Sequence, residues 1–117
     1  MELYWYKATV THLVDGDTAD LLIDLGFDTF RKVRVRFAHI DTPEIHGVKH
    51  SSEEYAKGMI AKEFVDEWLQ NHDYDVLVKT HQRRGSFRRW IGEIWSPDGE
   101  EQLNNLLLKT GHAVPYE

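Results

Sequence analysis

The stretch Val33 to Glu44 reads VRVRFAHIDTPE, with arginines on alternate positions of a strand-like run followed by Asp41, Thr42, Pro43 and Glu44. The alternation places Val33, Val35 and Phe37 on one face and Arg34 and Arg36 on the other. Asp15 and Asp17, in VDGDT, lie at the start of the preceding strand, which Asp17 opens, while Asp41 closes the Arg36 strand. If the two strands are adjacent, Asp15, Asp17, Asp41 and Glu44 meet at one end. Bare carboxylates ~5 Å apart repel by about 3 kcal/mol at an effective dielectric near 20, so the cluster needs a cation or a proton. Its donors are carboxylates, a threonine and backbone carbonyls, and the chain has no cysteine. Hard-cation preferences therefore select Ca²⁺ or Mg²⁺ over zinc. An EF-hand loop starting at Asp15 is excluded, because Ala19, Asp20 and Gly26 occupy its ligand, glycine and glutamate positions. Pro43 holds Thr42 extended and so sets the direction of its carbonyl relative to Asp41.

A divalent cation beside arginines is suited to phosphoryl transfer, since together they offset the charge of a five-coordinate phosphorus. Arg36 is the first candidate for the phosphate contact. Glu44 is placed to orient an attacking water or take its proton. An ordinary turn opened by a capping Asp accounts for DTPE without any chemistry.

The elements that must position these residues are legible as patterns. LYWYKATVTHLV and DTADLLIDL are β-rich runs joined at Asp15-Gly16, a hairpin signal, and RKVRVRF is a third strand. In SSEEYAKGMIAKEFVDEWLQN the period becomes helical, with a capping box from Ser51 to Glu54 and an apolar stripe of Ala61, Phe64, Val65, Trp68 and Leu69. YDVLVKT and RRWIGEIW are strands flanking HQRRGS, and LNNLLLKTG is a short helix stopped by Gly111. This order predicts an α+β, mainly β chain: a five-stranded Greek-key barrel of OB type, with a helix between the third and fourth strands and a short helix near the C-terminus.

At 117 residues, with 41% hydrophobic and 12% aromatic content, the chain is expected to be a single domain spanning 1–117 with one core. Trp68, Trp90 and Trp95 are assigned to that core in preference to base stacking. No window suits a membrane span, and no signal peptide opens the chain, so the expectation is a cytoplasmic monomer, or a secreted one if this is a processed form. The net charge of -6 opposes general attraction to nucleic acid, yet nine of the 14 basic residues fall in two segments. These are Arg31, Lys32, Arg34 and Arg36, and Lys79, Arg83, Arg84, Arg88 and Arg89. If the segments are neighbours they form a basic face for an anionic partner; two separate solvated strand faces are the alternative. His46 and His50 are assigned to a loop on the substrate side in preference to a zinc pair.

ATVTHLVDGDTADLL, RFAHIDTPE, GMIAKEF and RRWIGEIW, in that order, resemble the successive motifs of the staphylococcal nuclease family. The resemblance covers nearly the whole chain and implies an OB-fold, Ca²⁺-dependent phosphodiesterase acting on DNA and RNA, with single strands favoured and products ending in 3′-phosphate. It implies that Asp17, Asp41 and the Thr42 carbonyl bind calcium, that Arg36 and a second arginine contact phosphate, and that Glu44 acts on the water. The second arginine is Arg89, with Arg88 as its substitute, because the chain has FRR where the family has Tyr-Gly-Arg. Arg34, Arg84, Arg88 and Tyr116 are further substrate-binding candidates. Phe87 lacks the family tyrosine's hydroxyl, the sequence ends about where the family adds a last helix, and the negative charge predicts weaker, salt-sensitive binding. The rival reading is a module of the same fold that binds single-stranded nucleic acid or protein without catalysis. The retained Asp, Arg and Glu positions favour the enzyme.

Overall fold

The computed structural model describes residues 4–84 and 90–116, with 82–84 as backbone. Strands β1 (Trp5–Asp15), β2 (Thr18–Asp24) and β3 (Phe30–Phe37) precede a short β4 (Ile40–Asp41) and the helix α1 (Glu53–Gln70). Then come β5 (Asp75–Arg84), β6 (Trp90–Trp95), α2 (Leu103–Lys109) and a short β7 (Val114–Pro115). Five strands close into a barrel in the order β1-β2-β3-β6-β5, antiparallel except where β3 meets β6. This is the OB-type α+β architecture expected, with α1 between the third and fourth barrel strands.

Alternation of side chains explains the closure. Ala8 and Val10, Leu21 and Ile23, Val35 and Phe37, Val76 and Val78, and Ile94 point into one core, and all are buried. Val65 and Leu69 of α1 and Leu103 and Leu107 of α2 join that core. Each fully buried Leu or Ile contributes about 1.5–3 kcal/mol relative to its exposed state. Among the tryptophans, Trp68 is core, whereas Trp90 and Trp95 are only half-buried and pack at the barrel's rim. The core assignment thus holds for Trp68, while Trp90 is half-buried and packed against the core and Trp95 is half-buried beside Trp5.

The cap of α1 differs by one residue from the expected box. Ser52 is the N-cap, its hydroxyl accepting the Tyr55 N–H, while Glu53 and Glu54 stand in the first turn, where the helix dipole favours acids. Gly58, Ala61, Val65, Trp68 and Leu69 form its buried stripe. Beyond the helix, Asp73 and Tyr74 take left-handed backbone angles, and the Tyr74 N–H bonds back to the Leu69 carbonyl.

Two features near the site were not expected. Gly16 and Asp17 form the two-residue turn between the paired Asp15 and Thr18, so Asp17 sits in the hairpin tip and not on the strand. Nor is Asp41 on the Arg36 strand: the chain bends at Ala38 and His39, with His39 at φ 64, before entering β4. β4 pairs with β7, an element too short to leave a periodic signal in sequence.

β6 lies between β3 and β5, so Lys79 of the second basic segment is not on a strand neighbouring β3. Arg34 is held by Asp20 in a bidentate contact of 2.7 and 3.0 Å. Lys79 lies 5.7 Å from the Trp5 ring centroid and is registered opposite Glu93. Among the described side chains, a basic stripe runs along the outer face of β3, where Lys32 and Arg34 lead up to Arg36.

Candidate active site

The site forms where the β1–β2 hairpin tip, the end of β3, β4 and the segment after β7 converge. The Phe37 N–H donates to the Asp17 carbonyl at 2.8 Å, tying the tip to β3, and Thr18 is registered opposite Arg36. Gly16 permits the close approach of Thr42, because a Cβ there would lie 3.0 Å from the threonine side chain.

Asp17 is the buried centre. Its Oδ1 accepts from the Thr18 hydroxyl at 3.0 Å, and its Oδ2 accepts from the Thr42 N–H at 3.0 Å. Arg36 Nη1 lies 3.0 Å from the same Oδ2, and Nη2 donates to Asp41 Oδ1 at 3.2 Å. One guanidinium thus bridges the two aspartates expected to bind a metal. The Nη1 contact is an ion pair that does not count as a hydrogen bond, leaving a buried donor without an acceptor among the described residues. Tyr116 covers the other side, its ring centroid 4.9 Å from the Arg36 guanidinium carbon, and its N–H bonds the His39 carbonyl at 2.9 Å.

Asp15 joins from the strand end, its Oδ1 accepting the Asp17 N–H at 3.0 Å. Burial opposes ionisation of both groups, but they resolve it differently. For Asp17, hydrogen bonding with Asp15 and Thr42 and the charge of Arg36 hold the carboxyl below its usual range. For Asp15, burial followed by its interaction with Asp17 pushes the carboxyl up to about 7. Asp41 is raised by burial and by Asp17, with Arg36 offsetting part of the rise. Among the described residues, Asp17 and Asp41 share the Arg36 guanidinium, with Asp15 beside Asp17.

Glu44 stands on the exposed loop after Pro43. Its Oε1 accepts the His46 N–H at 3.1 Å, its own N–H donates to Glu54 Oε2 at 3.2 Å, and its charge contributes to raising Asp15. His46 Nε2 contacts the Val14 carbonyl at 3.2 Å, while His50 stacks on Tyr55. Among the described residues, no three His, Cys, Asp or Glu side chains converge to hold a metal ion. The structure therefore brings Asp17, Arg36, Asp41, Thr42 and Tyr116 together and places Glu44 beside them. Arg34 lies on the same strand face, engaged by Asp20. Arg88 and Arg89 lie outside the described residues, as does the side chain of Arg84.

Sequence reasoning did not assign three supporting residues. Thr18 fixes the Asp17 carboxylate, and its place in DGDT was the available signal. Glu54 bonds the backbone of Glu44. Asn104, on α2, accepts the Ile94 N–H at 2.9 Å and donates to the Ala38 carbonyl at 2.9 Å, anchoring the bend that leads to Asp41.

A barrel of this topology, with Asp, Arg and Glu gathered at one hairpin end, defines a class, and the family comparison agrees with it. Residues 34–117 match the model described as staphylococcal nuclease homologue, and the chain belongs to that family. Two curated relatives, one from Escherichia coli O157:H7 and one from Escherichia coli, are each described as an uncharacterized endonuclease. Each is 27% identical over 109 residues, covering 92% of this chain and 60% of the relative. The chain thus spans well under two thirds of the length of these relatives. Among the described residues, no helix is long and apolar enough to cross a membrane.

Proposed function

We propose that this chain is a Ca²⁺-dependent nuclease that hydrolyses phosphodiester bonds of DNA and RNA, favouring single strands and leaving 3′-phosphate ends. The observation that carries this reading is the buried Arg36 Nη1, which contacts Asp17 yet lacks a hydrogen-bond acceptor. A buried guanidinium donor left over in this way suits a phosphate oxygen. Family membership and the names of the relatives support the same reaction class.

The donor set fits a hard cation. Asp17 and Asp41 supply carboxylate oxygens and Thr42 a backbone carbonyl, and Asp15 and Asp41 are raised first by burial and then by the neighbouring Asp17. Asp17, Asp41 and the Thr42 carbonyl would hold the cation, and oxygen ligands of this kind suit Ca²⁺. Bound there, Ca²⁺ supplies charge stabilisation for the phosphorane-like transition state.

The chain's own residues supply the rest. Arg36 neutralises and orients the phosphate, with Arg89, or Arg88 in its place, as the second contact. Glu44, exposed beside the cluster, orients water or accepts its proton as the water oxygen attacks phosphorus. The bond to the 5′ oxygen breaks, that oxygen takes a proton from solvent, and the phosphate stays on the 3′ side. Tyr116 packs on Arg36 and limits its rotation.

The test is release of acid-soluble nucleotide from single-stranded DNA with calcium or with EGTA, for the wild type and Glu44→Gln. Calcium-dependent release that falls by roughly 10²-fold or more in the variant is expected of a residue acting on the proton in transit. A folded chain without activity in any metal would overturn the reading in favour of a binding module.

A further inference from the structure

A second cavity lies away from this site. It holds about 230 Å³ and is lined by Tyr4, Tyr6, Leu25, Arg31, Thr80 and Trp90, above a floor that includes Ile23, Val33 and Val78. These residues come from around the start of β1, the end of β2, the starts of β3 and β6 and from β5, whereas Asp15, Thr18 and Arg36 mark the opposite strand ends. The cavity is thus the other mouth of the barrel, and no described helix contributes to its lining. Leu25 is 42% exposed and Tyr4 39%, although both line an apolar cavity.

The chemistry of the rim selects an occupant. The volume is below the roughly 300–1,000 Å³ of clefts for drug-sized molecules, and so suits one small ring system. The Arg31 guanidinium carbon lies 5.9 Å from the Trp90 ring centroid. Of the nearby acids, Asp24 is turned into its own loop, accepting the Gly26 N–H at 2.8 Å, and Asp28 stands in the loop that follows. An aromatic wall beside a guanidinium matches an unpaired base and its phosphate, a combination tolerant of sequence. A base within a duplex is stacked and paired and cannot enter.

We propose that this mouth is a stacking site for one unpaired base of single-stranded DNA or RNA, with Trp90 as a wall and Arg31 as the phosphate contact. The proposal rests on the nuclease reading and extends it, placing a substrate contact remote from the reacting phosphate. Trp90 is registered with Val35, the neighbour of Arg36, and Arg31 lies five residues before Arg36, roughly 16 Å by strand rise. A strand of several nucleotides could occupy both; a single nucleotide could not.

The experiment measures the affinity of a labelled thymidine octanucleotide for the full chain in EGTA, using wild type, Trp90→Leu, Arg31→Gln and Tyr4→Ser. Parallel kinetics use the octanucleotide and a nitrophenyl phosphodiester of thymidine, which is too short to span the two sites. Each variant is expected to lose about tenfold in affinity, in line with single stacking contacts, and to raise KM for the octanucleotide alone, with kcat unchanged. An octamer lacking its bases should bind more weakly than the thymidine octamer. Wild-type affinity in Arg31→Gln and Tyr4→Ser would overturn the proposal, as would equal binding of the baseless octamer. If the wild type cleaves but these variants bind normally, the stacking site fails alone. If nothing cleaves yet the variants still weaken octamer binding, the nuclease reading fails and the mouth stands as a binding site.

Discussion

Arg36 and Asp17 form a nearly buried ion pair, Nη1 to Oδ2 at 3.0 Å, with side-chain exposures of only 14% and 9%. The register of β2 on β3 creates it by setting Thr18 opposite Arg36 and the hairpin tip beside the guanidinium. Since Arg36 also reaches Asp41, one side chain balances a cluster of carboxylates.

Arg36→Met should therefore destabilise the fold as well as remove activity. Leaving a buried carboxylate without its partner costs about 3–5 kcal/mol. Urea unfolding should show this loss in EGTA, with part of it restored by calcium through preferential binding to the folded state. A variant as stable as the wild type in EGTA would show that the pair contributes little.

Asp15 gives stability a pH dependence of its own. Its folded pKa of about 7 lies above the ordinary carboxylate value of 3.8. The folded state consequently holds a proton that the unfolded state has released, and this contribution declines as pH rises from about 4 through 7. Asp15→Asn, which keeps an acceptor for the Asp17 N–H, should flatten that decline and be more stable than the wild type at pH 8. The check is denaturation of both proteins at pH 5 and pH 8.

Gly58 sits within α1, where alanine is ordinarily better by about 1 kcal/mol. Here an added Cβ would meet the Ile45 side chain and approach the Pro43 carbonyl to 2.6 Å. Gly58→Ala should invert the helix preference, cost about 1–3 kcal/mol by overpacking and reduce activity by shifting the loop between Asp41 and Glu44. Thermal unfolding and nucleotide release measured together would test both effects.

Asn104→Leu removes the acceptor for Ile94 and the donor for Ala38. Two buried backbone groups left unpaired should cost about 2–4 kcal/mol. Asn104→Asp retains the acceptor for Ile94 only and should fall between the two. Equal stability of leucine and asparagine at this position would show that the bend before β4 is held by other contacts.

Strand alternation in VRVRFAHI, the period change at Glu53 and Gly111 after LNNLLLK made the barrel strands and both helices legible, because each rests on neighbours in the chain. The cap of α1 was misplaced by one residue, since Ser51 and Ser52 are both chemically suitable and only the backbone path distinguishes them. The sequence by itself also determined the chemistry available: carboxylates at Asp15, Asp17, Asp41 and Glu44, arginine at position 36, and no thiol. Tertiary structure decided how that chemistry is distributed. The bend at His39 took Asp41 off the Arg36 strand, the β4–β7 pairing carried Tyr116 onto the guanidinium, and burial left Asp15 raised while Asp17 became the ionised centre. These outcomes depend on contacts between segments remote in sequence and on differences in solvation, neither of which leaves a periodic trace along the chain.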